Sequence, residues 1–196
     1  MSIKAVIFDL DGTITQPFFD FDAIRQEMGL GPDSGPVWEA IGQMSEQQRV
    51  RAENILNFHE QRAVTQSQLN HGARETLENI RQTGIGIGIL TRNRADNALA
   101  VAKKHNLQFD VVIGREEGPV KPDAFGVLEI CRRLAVKPFQ AMVVGDYLYD
   151  VLSARAAGAI SVLLANHKRA EEFAQHADFK IENLKQILEI IQQQNS

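Results

Sequence analysis

Two carboxylates stand one residue apart in Asp9-Leu10-Asp11-Gly12-Thr13, directly after the apolar run Ile3, Ala5, Val6, Ile7 and Phe8. A charged carboxylate is costly to bury without a partner. A buried strand that ends in two of them therefore implies a metal ion, a basic partner or a catalytic task. Later stretches supply candidates for each. A second apolar run ends at Thr91-Arg92-Asn93, a fourth ends at Gly145-Asp146 with Asp150 four residues on, and Lys121 falls in the connection between the third and fourth. A hydroxyl, a lysine and several carboxylates are the parts that hold a phosphate beside a hard cation, and Mg²⁺ prefers oxygen ligands shared between carboxylates and substrate phosphate.

These groups can meet only if the chain brings strand ends together. Short β-rich runs recur at 3–8, 85–90, 109–113, 141–145 and 160–164, with amphipathic helical patterns between most of them. That alternation predicts an α/β fold: a Rossmann-like parallel sheet with helices on both faces. Continuous apolar strands agree, since such strands are buried on both sides. In a parallel sheet all the strand ends lie on one edge, so residues 9, 11, 91, 121, 146 and 150 can converge. Helices are expected over 73–82, 94–105, about Asp123–Leu134 with Pro122 in a first helical turn, about Asp150–Ala157 stopped by Gly158, and Ile181–Gln192.

Residues 14–70 break the alternation. They hold no β-rich run; 20–28 and 45–64 have helical spacing, and 29–36 is a loop by its glycines and prolines. The expected organisation is a core of 1–13 and 71–196 with a small all-helical insertion, 14–70. An insertion at the carboxyl end of a strand sits over the crevice where α/β proteins bind ligands, so it reads as a lid, with a structural side domain as the plainer alternative.

The 196 residues are 44% apolar, enough for a sizeable core without disulfides, and the single cysteine, Cys131, has no intrachain partner. Cys131 falls in an apolar helical pattern with Val127, Leu128, Ile130 and Leu134 and reads as a core thiol. The net charge is −4 with both signs interspersed, so no basic stripe marks a nucleic-acid surface. No apolar stretch approaches bilayer length and no signal peptide is evident. The expectation is a cytoplasmic monomer.

Asp9-x-Asp11-Gly12-Thr13, Thr91, Lys121-Pro122 and Gly145-Asp146-x-x-x-Asp150 resemble, in order and spacing, the four motifs of the haloacid dehalogenase-like hydrolases. The resemblance covers essentially the whole chain. Gly72-Ala73-Arg74-Glu75-Thr76-Leu77 is similar to the segment with which that family leaves its cap. The phosphoglycolate phosphatase and β-phosphoglucomutase-like branch, whose helical cap follows the first motif, is the most similar. The resemblance implies a Mg²⁺-dependent phosphatase acting on a small phosphate ester. Asp9 would be the nucleophile that forms an aspartyl-phosphate. Asp11 would be the acid–base residue and would bind the metal through its backbone carbonyl. Thr91 would hydrogen-bond a phosphate oxygen. Lys121 would offset the charge of Asp9 and the phosphoryl group. Asp146 would ligate the metal, and Asp150 would orient a water on the metal or bind it more loosely.

Structural roles stand beside these: Asp11 as a turn former, Asp146 or Thr91 as a helix cap, Asp150 as a first-turn acid, Lys121 as a surface lysine. Two positions depart from the pattern. Arg92 follows Thr91 where many members have Asn; either Asn93 supplies that contact or Arg92 reaches a substrate anion. Tyr147 follows Asp146 where Ser or Thr is frequent. Phe18, Phe19, Arg49, Arg51, His59 and Arg62 are candidate substrate contacts of the insertion. Gly84, Gly86 and Gly88 alternate with isoleucines inside a strand, which fits close helix packing rather than nucleotide binding. His59, His71, His105, His167 and His176 are too scattered for a metal site. A phosphomutase would need a longer, water-excluding cap; a phosphate-binding protein without turnover would lack Asp9, Asp11 or Lys121.

Overall fold

The computed structural model describes residues 2–195. Contacts divide the chain into two compact units, one of residues 1–17 and 68–196, the other Phe18–Ser67.

In chain order the elements are β1 (Ala5–Phe8), α1 (Phe21–Glu27), α2 (Val37–Gly42), α3 (Glu46–Gln66), α4 (Ala73–Gln82), β2 (Gly86–Leu90), α5 (Ala95–His105), β3 (Val111–Ile113), α6 (Phe125–Arg133), β4 (Ala141–Gly145), α7 (Leu148–Ala157), β5 (Ile160–Leu164), α8 (Ala170–Ala174), β6 (Phe179–Ile181) and α9 (Gln186–Asn195). Six strands form one sheet in the order β3-β2-β1-β4-β5-β6, every pair parallel. Order reverses beside β1, and such a switch point leaves a crevice at the strands' carboxyl ends. Phe8 pairs with Val144, so Asp9 and Gly145-Asp146 emerge side by side there.

Side chains alternate across a strand. Ala5 and Ile7 of β1 join Ala141 and Val143 of β4 in a core closed by Val127, Ile130 and Cys131 of α6 and Ala154 of α7. Cys131 is buried, and burial pushes its thiol up to about 11. Leu128 instead faces solvent. α4 packs on β2 and against α9. The short β6 was not foreseen: its three residues include a solvent-exposed lysine, and Ile181, expected to open the last helix, ends this strand instead, the helix starting at Gln186. The helix expected from Asp123 starts at Phe125, and Pro122 lies outside it after a cis Lys121–Pro122 bond.

The glycines of β2 let α6 approach. A Cβ on Gly88 would fall 2.7 Å from Ile130 Cγ2, and one on Gly86 would fall 3.2 Å from Leu134 Cδ1. Gly88→Ala is expected to cost about 1–3 kcal/mol through overpacking, read as a lower urea midpoint. Gly31→Ala, where a Cβ meets open space, serves as a near-neutral control.

Residues 14–17 and 68–70, expected in the insertion, belong to the first unit. The physical reason is backbone pairing: Thr15 bridges Leu69, Gln16 N–H donates to Gln68 C=O (2.9 Å) and Asn70 N–H to Ile14 C=O (2.9 Å). The second unit is helical, with α1 and α2 against α3 around Ile24, Val37, Ile41, Ala52 and Leu56. Asp20 caps α1 by accepting from Ala23 N–H (3.0 Å). The short α2, just after the glycine-rich loop, was also not foreseen. Among the described residues no helix is long and apolar enough to cross a membrane.

Candidate active site

A tight turn follows β1. Thr13 and Thr15 N–H both donate to Leu10 C=O (3.3 and 2.9 Å), and Gly12 N–H donates to Thr15 C=O (3.0 Å). Asp9 N–H donates to Val144 C=O (2.8 Å), which locks the start of the turn to β4. Gly12 has φ 95°, and a Cβ there would lie 2.4 Å from Asp146 Oδ2. Both facts demand glycine. The Gly12 carbonyl accepts from Asn166 Nδ2 (2.7 Å) and Asn70 Nδ2 (3.3 Å), and Asn70 also donates to Thr13 C=O (3.1 Å).

Asp9, Asp146 and Asp150 are buried, and each offers a carboxylate oxygen within 4.8 Å of the others. Lys121, 3% exposed, places its Nζ 2.6 Å from Asp9 Oδ1 and 2.6 Å from Asp150 Oδ1. The other Asp150 oxygen accepts from Tyr147 N–H (3.1 Å), tying the first turn of α7 to the end of β4. Asp150 packs so closely that a Cβ on Gly145 would fall 2.1 Å from its Cγ. α7 begins after Tyr147, beyond Asp146.

Three carboxylates against one ammonium leave excess negative charge in a buried place. Burial, then the nearby charges of Asp9 and Asp150, push Asp146 up to about 8. Burial and Asp150 push Asp9 up to about 6, with Lys121 opposing. Burial works against the Lys121 ammonium, but Asp150 and Asp9 outweigh it and hold Lys121 above the usual lysine range.

The Asp11 carboxylate accepts from Asn93 Nδ2 (3.4 Å). Asn93 Oδ1 in turn accepts from Asn97 Nδ2 (2.8 Å) and Arg94 N–H (2.7 Å). Thr91, buried at the end of β2, accepts from Asn93 N–H (3.0 Å); α5 is preceded by Arg94, so Thr91 does not cap it. Arg92 turns toward Lys121, donating from Nη1 to its backbone carbonyl, with the guanidinium over the Tyr149 ring.

The six side chains singled out in the second unit serve several ends. Phe19 packs on that unit's core and Phe21. His59 pairs with Glu27 (3.0 Å), and Arg62 lies over Phe18 and Phe58. Arg49 and Arg51 are exposed. Sequence reasoning missed Asn70, Asn166 and the buried Arg115, whose N–H donates to Asn93 C=O (3.0 Å). A signal existed for Asn166: it follows β5, and the same attention to strand ends that singled out Asp9 and Asp146 applies there.

The donors fit a divalent cation. The three clustered side chains offer only oxygen, the donor that Mg²⁺ takes. Their mutual spacing of 4.8 Å or less is close to the roughly 4.2 Å span of one six-coordinate ion. Their surplus charge is relieved by a proton, as the raised Asp146 shows, or by a further positive partner.

Fold and site together define a class. Residues 3–158 match the haloacid dehalogenase-like hydrolase family, and the chain belongs to it; it is a hydrolase of α/β, Rossmann-like architecture. Among its relatives, the uncharacterized hydrolase YOR131C of Saccharomyces cerevisiae is 32% identical over 98% of this chain and 93% of its own length. A phosphoglycolate phosphatase of Chromobacterium violaceum is 25% identical over 96% of each chain. The crystal structure of a haloacid dehalogenase-like phosphatase from Thermococcus onnurineus superposes with a TM-score of 0.71 at 27% identity, covering 96% of this chain and 98% of that one.

Proposed function

We propose that this hydrolase is a Mg²⁺-dependent phosphatase that cleaves a small phosphorylated metabolite through an aspartyl-phosphate, working as a cytoplasmic monomer. The observation that carries the reading is the Lys121 ammonium shared between Asp9 and Asp150, 2.6 Å from each, beside Asp146. Asp9, at about 6, is mainly ionised at neutral pH and available as a nucleophile.

In the first step an Asp9 carboxylate oxygen bonds to phosphorus. The bond from phosphorus to the alcohol oxygen breaks, and Asp11 passes its proton to that oxygen. In the second, the Asp11 carboxylate takes a proton from water, the water oxygen bonds to phosphorus, and the bond to Asp9 breaks. Asp9 and Asp11 return to their starting states and inorganic phosphate leaves. Lys121 offsets charge on Asp9 and the phosphoryl group, and Thr91 and Asn93 orient phosphate oxygens; such catalysis is mainly positioning and charge neutralisation. Asp9, Asp146, Asp150 and the backbone carbonyl of Asp11 would hold Mg²⁺, which supplies positive charge against the phosphate. The helical unit Phe18–Ser67 is read as the family's cap, the part that selects the leaving group. Phosphoglycolate is one candidate substrate, through the Chromobacterium violaceum relative.

Purified protein with Mg²⁺ is expected to release phosphate from p-nitrophenyl phosphate and, faster, from a few members of a panel of phosphorylated metabolites. Chelating the metal is expected to stop release. Absence of phosphate release across the panel would overturn the reading, and isomerised sugar phosphates without release would replace it with a phosphomutase.

A further inference from the structure

We infer that Arg92 is a positioning residue that seats Lys121, and not a ligand of the substrate phosphate; this rests on the phosphatase reading above. Arg92 Nη1 donates to the Lys121 backbone carbonyl. Its guanidinium lies over the Tyr149 ring, 5.0 Å from the centroid. Tyr149 immediately precedes Asp150, which takes the Lys121 ammonium at 2.6 Å. One planar cation thus spans two of the three segments that define where that ammonium sits: the main chain that carries Lys121 and the first turn of α7 that receives it, the third being Asp9 after β1.

The arrangement answers a local problem. Lys121 lies between a single helical turn, Arg115–Glu117, and α6, in a stretch without regular strand or helix to fix it. A lysine side chain is long and flexible. Two ion pairs of 2.6 Å require its backbone to be held. Arg92 is itself anchored: its carbonyl accepts from the buried Arg115 Nη1 (3.4 Å), and Arg115 N–H donates to Asn93 C=O (3.0 Å). A guanidinium suits the task because it can donate in its plane and stack on an aromatic face at once, which an ammonium cannot. This also accounts for the residue after Thr91. The side chain in that position is used on the protein, and Asn93, one place later, faces Asp11.

Arg92→Met, Arg92→Lys and Tyr149→Leu test this, with folding checked by circular dichroism and a second, turnover-free readout: acetylation of Lys121 by acetic anhydride, followed by peptide mass spectrometry. Arg92→Met is expected to lower kcat on p-nitrophenyl phosphate about 100-fold. KM and inhibition by inorganic phosphate should stay within about twofold, because phosphate contacts are intact. Lys121 acetylation should rise about tenfold as the ammonium loses its seat. Arg92→Lys should recover part of both, since an ammonium can still reach the carbonyl, and Tyr149→Leu should show a smaller effect of the same kind. If Arg92→Met raises KM and the phosphate inhibition constant about tenfold at unchanged kcat, Arg92 is an anion ligand and the inference is overturned. Unchanged kinetics with unchanged acetylation also overturns it. If Arg92→Met does not fold, the same comparisons on Arg92→Lys and Tyr149→Leu decide. If the wild type hydrolyses no phosphate ester, the phosphatase reading fails, while the acetylation rates still decide whether Arg92 seats Lys121.

Discussion

Asp9→Asn is expected to reduce phosphate-ester turnover by about 10⁴- to 10⁶-fold, to near background, while leaving the protein as stable as the wild type or slightly more so. The two halves of the expectation have different causes. The amide keeps the shape of the carboxylate but has no oxygen able to form the acyl-phosphate, so the covalent route closes. Stability follows from the charge excess. Asp9 is held at about 6 chiefly because it is buried, so as an anion it costs the metal-free fold free energy as pH rises from about 4 to 6. A neutral side chain removes that cost, and Lys121 keeps its second partner, Asp150, at 2.6 Å. Phosphate release and thermal melting at pH 7.5 check both. A variant that keeps a tenth or more of the wild-type rate would remove Asp9 as the nucleophile; one that is inactive and also melts far lower would mean that the carboxylate is structural.

What could be read from the sequence follows from which interactions are local. The order of strands and helices was legible because each of β1, β2, β4 and β5 is an apolar run of four or five residues and each helix between them has a buried face. The convergence of Asp9 and Asp146 needed only the inference that those strands are parallel; their neighbouring registers then place both acids at one edge. Three-residue β6 has an exposed lysine at its centre, unlike the all-apolar three residues of β3, and six-residue α2 is too short to carry a period, so their positions depend on tertiary packing. The boundary of the helical unit was missed by a few residues because the pairing of 14–16 with 68–70 is a contact between distant segments with no composition signal. The roles of Asn70, Asn166 and Arg92 are of the same kind. Each side chain donates to a backbone carbonyl far along the chain, Gly12 for the asparagines and Lys121 for the arginine. A carbonyl is present at every residue, so nothing in the amino-acid types marks which one is used.

Lys121→Met is expected to destabilise the metal-free protein by about 3–5 kcal/mol at pH 8, a drop in Tm of about 6–20 °C, and by much less at pH 5. Methionine replaces the buried stem, so the loss is one of charge. Lys121 is raised above its ordinary 10.5, so its contribution is whole below that pH and is lost only as pH climbs beyond it. Between pH 5 and 8, therefore, the wild type keeps it undiminished, and the pH dependence of the variant comes from the acids. Asp9 and Asp146 are raised to about 6 and about 8 from 3.8. A carboxyl raised in the fold costs nothing below about pH 4, where folded and unfolded chains are both protonated. The fold then loses stability as pH rises toward the higher value, because only the unfolded chain releases its proton freely. Without the ammonium, which lowers both, Asp9 and Asp146 shift higher still, and the loss steepens. Mg²⁺ should accordingly raise the Tm of both proteins more at pH 8 than at pH 5, where protons compete with it for the same oxygens. A Tm deficit of equal size at both pH values would mean that Lys121 acts only by filling space. A deficit that grows with pH and shrinks with Mg²⁺ would mean that the cluster is held together by compensation of charge, the property that the proposed phosphoryl transfer would require.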